Sequence, residues 1–105
     1  MNILLVRGPL TLSKYASAAP AVPPIGMAYI AAALIENNHN VKVVDVIGEA
    51  INEYYPYEEK TLYRGLSFDQ IIDEIDQDYD VIALSVMFSQ DWPLTIDLIN
   101  LLKKR

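Results

Sequence analysis

Two short segments hold the side chains best suited to chemistry. Arg7-Gly8-Pro9-Leu10 follows an apolar run at the start of the chain, and Met87-Phe88-Ser89-Gln90-Asp91-Trp92 follows another near its end. Gly8 lets a ligand approach the backbone closely because it has no Cβ. Ser89 and Gln90 supply neutral donors and acceptors, and Trp92 supplies a broad flat face. This set suits a large, partly apolar, amide-bearing ligand better than a phosphate. No carboxylates are paired for acid–base work, so the segment carries no assigned catalytic residue. With no cysteine in the chain, thiolate zinc and iron–sulfur sites are excluded within it.

Phosphate and nucleotide chemistry can be tested on the same segments. No Gly-x-Gly-x-x-Gly follows the first apolar run, and no Walker loop ending in Gly-Lys-Ser/Thr occurs anywhere. Asp45 stands where a Rossmann fold places its ribose-binding acid, but alone it reads more readily as a solvated or capping carboxylate. A phospho-receiver would need an acidic pair after the first run and an aspartate ending the last. Arg7 and Ser85-Val86-Met87 stand there instead.

The elements that must position these segments follow from periodicity. Asn2–Val6 is a continuous apolar run that suits a strand buried on both faces, and Val41–Ile47 and Val81–Val86 read as the second and third strands. Met27, Ile30, Ala31, Leu34 and Ile35 follow helical spacing after Pro23-Pro24-Ile25-Gly26, with Asn37-Asn38-His39-Asn40 as the stop. Ser67 is an N-cap for a second helix through Phe68, Ile71, Ile72 and Ile75. Pro93 opens a third through Leu94, Leu98, Ile99, Leu101 and Leu102, with Lys103, Lys104 and Arg105 at its negative dipole end. Leu10–Pro24 reads as a long connection, and Gly48–Leu66, with Tyr54, Tyr55, Tyr57 and Tyr63, as a packed loop with room for one helical turn.

The order β-α-β-α-β-α predicts an α/β fold, a three-layer flavodoxin/Rossmann-like parallel sheet of order 2-1-3. Its ligand would sit beyond the carboxyl ends of the first and third strands, where the order reverses. Three parallel strands ending on a helix predict a single domain, 1–105, truncated before its last strands and belonging to a longer enzyme.

Composition bounds the partners. The chain has 105 residues, 52% hydrophobic and 21% charged, with a formal net charge of -6. An acidic chain lacks the basic face that nucleic acid or an anionic membrane requires. The Met1–Val6 run is too short for a signal-peptide core, and Ala28–Ile35 is too short for a membrane span. The expected location is the cytoplasm. The acidic residues Asp69, Asp73, Glu74, Asp76, Asp78 and Asp80 read as a solvated helix face and turn.

Several segments, in order, resemble the cobalamin (vitamin B12)-binding domain of cobalamin-dependent radical S-adenosylmethionine enzymes. Pro23-Pro24-Ile25-Gly26-Met27-Ala28-Tyr29-Ile30-Ala31-Ala32 resembles that family's entry to the first helix. Asn38-His39-Asn40-Val41 is similar to its Gly-His-x-Val turn, with Asn38 in the glycine's place, and Val43-Val44-Asp45 to the end of its second strand. Gly65-Leu66-Ser67-Phe68-Asp69-Gln70-Ile71-Ile72 resembles the start of its second helix, and Asp80–Ser89 its third strand and cofactor-facing loop. The likeness covers nearly the whole chain but only the first part of the family's domain.

The resemblance implies a cobalamin-binding module whose cofactor contacts come from Gly8, Pro9, Leu10, Ser85, Met87, Phe88, Ser89, Gln90 and Trp92. It implies a radical S-adenosylmethionine barrel downstream in the same chain, holding S-adenosylmethionine and a 4Fe-4S cluster, and a parent methyltransferase. The Asp-x-His-x-x-Gly motif that supplies a cobalt ligand in many cobalamin proteins is absent, since Arg7-Gly8-Pro9-Leu10-Thr11-Leu12 stands there. His39 falls in the turn before the second strand, at the opposite edge of the sheet, so cobalamin is expected without a protein histidine ligand. The alternatives are a parent enzyme that performs rearrangement or cyclisation, a flavodoxin-like flavin- or nucleotide-binding domain, and a structural α/β fragment.

Overall fold

The β-branched runs pair with one another in parallel. In the computed structural model, which describes residues 1–15 and 22–104, β1 (Asn2–Arg7) lies between β3 (Asn40–Asp45) and β6 (Val81–Ser85), giving the order β3-β1-β6. Leu5 stands opposite Val43 on one side and Ala83 on the other. Alternation along β1 sends its side chains to two separate cores. Leu4 and Val6 pack with Val44, Val46, Ile71, Ile75 and Leu98. Ile3 and Leu5 pack with Met27 and Ala31 on the opposite face.

Three helices supply those apolar faces. Helix α1 (Ile25–Glu36) buries Met27 and Ala31, while Ile30 and Ile35 stay more than half exposed despite their helical spacing. Its end is a Schellman motif: the His39 N–H donates to the Leu34 carbonyl and the Asn38 N–H to the Ile35 carbonyl. Asn38 takes the left-handed conformation at φ 67°, the role expected of the asparagine cluster. Helix α2 (Phe68–Asp73) opens on a capping box, with the Ser67 hydroxyl accepting from the Gln70 N–H and the Gln70 side chain accepting from the Ser67 N–H. It is shorter than its apolar stripe, and Ile75 is buried beyond its end. Helix α3 (Trp92–Lys103) follows a 3-10 turn over Ser89–Asp91 and buries Leu94, Thr95 and Leu98. Among the described residues no helix is long and apolar enough to cross a membrane.

A second, antiparallel sheet corrects the reading of two connections as loops. Strands β2 (Leu10–Ser13), β5 (Thr61–Arg64) and β4 (Tyr54–Glu58) pair in the order β2-β5-β4. Residues 16–21 of the expected Leu10–Pro24 connection, and Arg105, lie outside the described residues. Aromatic and β-branched residues drive the sheet, and the half-buried Tyr55 reaches Tyr63 across the ladder, ring centroids 5.4 Å apart. Tyr63 in turn stacks on Phe68 at 5.2 Å, fastening the small sheet to the first turn of α2. Pro56 is tolerated because β4 is an edge strand, and the register shifts between Pro56 and Glu58. Gly65 follows β5 at φ 116°, where an added Cβ would lie 2.6 Å from the Val46 carbonyl oxygen. Only glycine fits so close a crossing.

Candidate functional site

At the carboxyl edge of the parallel sheet, Arg7 ends β1, Asp45 ends β3 and Ser85 ends β6. Arg7 reaches Asp45 at 3.4 Å and also donates to the Val22 carbonyl. The other work of Asp45 is local: its carboxylate accepts the Gly48 N–H at 3.0 Å. These contacts make Asp45 a capping and pairing carboxylate. Arg7, Asp45, Val22, Pro23, Gly48 and Ile51 line a small cavity of about 160 Å³.

The residues expected to meet a ligand divide into two groups. Gly8 and Pro9 are buried and Leu10 is half-buried. The Gly8 α-carbon lies against the end of β6, where an added Cβ would stand 3.5 Å from the Ser85 carbonyl oxygen. Leu10 belongs to a strand and pairs with Arg64. Ser85, Met87, Phe88, Ser89, Gln90 and Trp92 are all exposed. Met87 is 83% exposed, Phe88 52% and Trp92 51%, so three large apolar side chains project from one short segment. Isolated exposed apolar residues are ordinary, but a concentration of them at a sheet's carboxyl edge marks a surface that can receive an apolar face.

One residue in that segment behaves oppositely. Asp91 is 2% exposed, and its Oδ1 accepts both the Thr11 N–H and the Thr11 hydroxyl at 2.8 Å. Its Oδ2 is buried without a hydrogen-bond partner among the described residues. The carboxylate thus ties the start of α3 to β2 across 80 positions of sequence. Thr11 was not among the expected site residues, and the only hint of Asp91 was its place before Trp92-Pro93, a helix-capping position. The structure uses its side chain for the sheet rather than for the helix, since no side-chain cap hydrogen bond forms.

Beside this link lies a cavity of about 330 Å³, bounded by β2, the β4–β5 turn and the first residues of α3. Tyr57, on its wall, donates its hydroxyl to Asp97 Oδ2 at 2.8 Å. Burial, that hydrogen bond and the charge of Asp97 push the tyrosine pKa up to about 12. Gln90 belongs both to this wall and to the exposed segment.

His39 stands at the other edge of the parallel sheet. Its Nδ1 lies 3.2 Å from the Met1 amino group, and β1 separates it from the carboxyl-edge loops. Six strand residues span roughly 20 Å, far beyond the reach of an imidazole. No group of three or more His, Cys, Asp or Glu side chains among the described residues is arranged to hold a metal ion. Compared with family models, curated proteins and solved structures, the chain matches none.

Proposed function

We propose that this chain is part of a cobalamin-binding module of a radical S-adenosylmethionine enzyme, and that the parent enzyme is a methyltransferase. The finer architecture belongs to the same reading: a flavodoxin-like three-layer domain of which residues 1–105 form the first part, with the barrel, S-adenosylmethionine and 4Fe-4S cluster supplied further along the chain in the cytoplasm. The observation that carries it is the exposed trio Met87, Phe88 and Trp92 just beyond the carboxyl end of β6. Ser85, Ser89 and Gln90, all exposed, add hydrogen-bonding groups to the same segment. That chemistry fits a broad apolar macrocycle rimmed with carboxamides, and the ordered motifs of the chain point to the same ligand. When bound, cobalamin would supply a cobalt centre that accepts and donates a methyl group. The chain's own part is to bind one face of it, keep water from that face and leave cobalt without a histidine ligand.

Trp92 is the only tryptophan of the chain, so its fluorescence reports on the segment directly. Titration with hydroxocobalamin, paired with equilibrium dialysis, should give saturable quenching and bound corrinoid without an imidazole-coordinated spectrum from the protein. Replacing Met87 and Phe88 together with serine should weaken binding by at least ~10-fold, the factor that ~1.4 kcal/mol of lost apolar contact produces. Retention of flavin mononucleotide with no retention of cobalamin would overturn the proposal in favour of a flavodoxin-like domain. Retention of neither would leave the module without its ligand and refute it equally.

A further inference from the structure

Asp91 is the polar centre of the segment that carries the exposed trio. Its N–H donates to the Phe88 carbonyl at 3.1 Å, closing the turn in front of α3, and its own carbonyl accepts the Thr95 hydroxyl at 2.8 Å. Its Oδ1 takes both donors of Thr11, whose hydroxyl also lies 3.3 Å from the Gln90 carbonyl. Asp91, Thr11 and Thr95 are buried, while Phe88 and Trp92, the residues that the turn and the chain join directly to Asp91, stand half exposed. The carboxylate does not cap α3, and its Oδ2 has no partner among the described residues. A buried acceptor left in that state costs stability, so the link does more for the placement of its neighbours than for the fold as a whole.

We propose that Asp91, held by Thr11, is a positioning residue for the Met87–Trp92 surface. It keeps Phe88 and Trp92 turned outward and so sets the affinity of that surface for its ligand without touching the ligand. The inference takes its ligand from the cobalamin reading but its geometry from the link alone. A ligand that binds only the outward form has an apparent dissociation constant that rises as the fraction of chains in that form falls. The linked chain is in the outward form. Without the link, inward burial of one Met- or Phe-sized side chain favours a closed form by a factor of ~10 or more, and affinity falls by the same factor. By reciprocity, a bound ligand must in turn favour the link.

The test uses the full chain and three variants. Asp91→Ala deletes the link, Asp91→Asn keeps an oxygen for Thr11, and Ile71→Val loosens the core on α2 without altering the link. Without ligand, Asp91→Ala should shift the emission of Trp92, the only tryptophan, to shorter wavelength and reduce its quenching by acrylamide, with circular dichroism unchanged. Hydroxocobalamin affinity should fall ~10-fold in Asp91→Ala and return to within ~2-fold of the parent in Asp91→Asn. Ile71→Val, which lowers stability alone, should move neither reading. In the parent, hydroxocobalamin at ten times its dissociation constant should slow exchange of the Thr11 amide ~10-fold. If Asp91→Ala fails to fold, the double variant Thr11→Val/Asp91→Asn, which leaves one neutral bond from the Thr11 N–H, should give the same readings in smaller degree. A folded link variant with the emission and quenching of the parent would overturn the positioning role whether or not cobalamin binds. Unaltered Thr11 exchange in a parent that binds hydroxocobalamin would overturn it too. A parent that binds no hydroxocobalamin would refute the cobalamin reading, and the ligand-free Trp92 readings would still decide the role of Asp91.

Discussion

The link between Asp91 and Thr11 offers the sharpest test of how this molecule holds itself together. Truncation by Asp91→Ala removes the acceptor of two donors, the Thr11 N–H and hydroxyl, both at 2.8 Å. A hydrogen bond to a charged group contributes about 1.5–3 kcal/mol, and a buried backbone N–H left unpaired costs about 1–3 kcal/mol. Against this stands relief from burying a carboxylate whose Oδ2 is unpartnered among the described residues. The net expectation is a loss of about 3 kcal/mol, or a fall in Tm of roughly 12–20 °C for a domain of this size. Asp91→Asn keeps an oxygen facing Thr11 and should stay within about 1 kcal/mol of the parent. Thr11→Val removes only the hydroxyl and should cost about 1 kcal/mol. Combined with Asp91→Ala it should add less than it does alone, because only the longer bond to the Gln90 carbonyl, at 3.3 Å, is left to the hydroxyl. Urea denaturation followed by circular dichroism, with all four proteins in one cycle, measures the coupling directly. Thr11→Val costing as much in the Asp91→Ala background as alone would refute the link, and so would an Asp91→Ala cost below about 0.5 kcal/mol.

Two further perturbations probe the small sheet. Gly65→Ala should destabilise by at least about 2 kcal/mol, because φ is 116° and the new Cβ would meet the Val46 carbonyl oxygen at 2.6 Å; thermal unfolding of the variant checks it, and a Tm equal to the parent's would contradict the close crossing. Tyr57 keeps its proton in the folded state to about pH 12, above the ordinary tyrosine value of 10.0. A folded-state pKa raised in this way stabilises the fold below the unfolded value, and the contribution disappears as pH climbs from about 10 through 12. Tyr57→Phe should therefore flatten the alkaline limb of the stability curve, and ultraviolet titration of tyrosinate should lose its highest step in Tyr57→Phe and shift it downward in Asp97→Asn.

The parts of the fold legible in the sequence were those that depend on local pattern. The runs at Asn2, Val41 and Val81 became strands to within a residue or two, although only β1 is buried on both faces, as its unbroken apolar run requires, while Val43, Val81 and Ile82 on the flanking strands stay exposed. Ser67 and Asn38 took the capping roles that their side chains suit. The antiparallel sheet was hidden because its pairings are long-range: Leu10 meets Arg64, and no local period announces a partner so distant. Pro56 and the irregularity beside it also broke the alternation that would have marked β4. Helical spacing likewise grouped Ile30 and Ile35 with Met27, although only the narrow stripe through Met27 and Ala31 reaches β1. The segment from Met87 to Trp92 stood out by residue type, but the burial of Gly8, Pro9 and Asp91 did not.

The second sheet also bears on why the exposed apolar side chains stay exposed. Burying a residue of the size of Met or Phe is worth about 1.5–3 kcal/mol, so a free segment bearing Met87, Phe88 and Trp92 would gain by folding inward. This segment is fixed on both sides. Upstream, β6 is paired to β1 through Ser85, opposite Arg7, and the Gly8 backbone lies against the same residue. Downstream, Asp91 is locked to Thr11 and Leu94 is fully buried within the first turn of α3. Thr11 is itself held in the ladder opposite Tyr63, which stacks on Phe68. Collapse of the apolar trio would have to break those anchors together, the Asp91 link, the β6 ladder and the burial of Leu94, which opposes the apolar gain. A surface held out in this way has already met the ordering cost that a ligand would otherwise impose on it. The small antiparallel sheet thus acts on the carboxyl edge through Asp91, although none of its side chains belongs to the exposed trio.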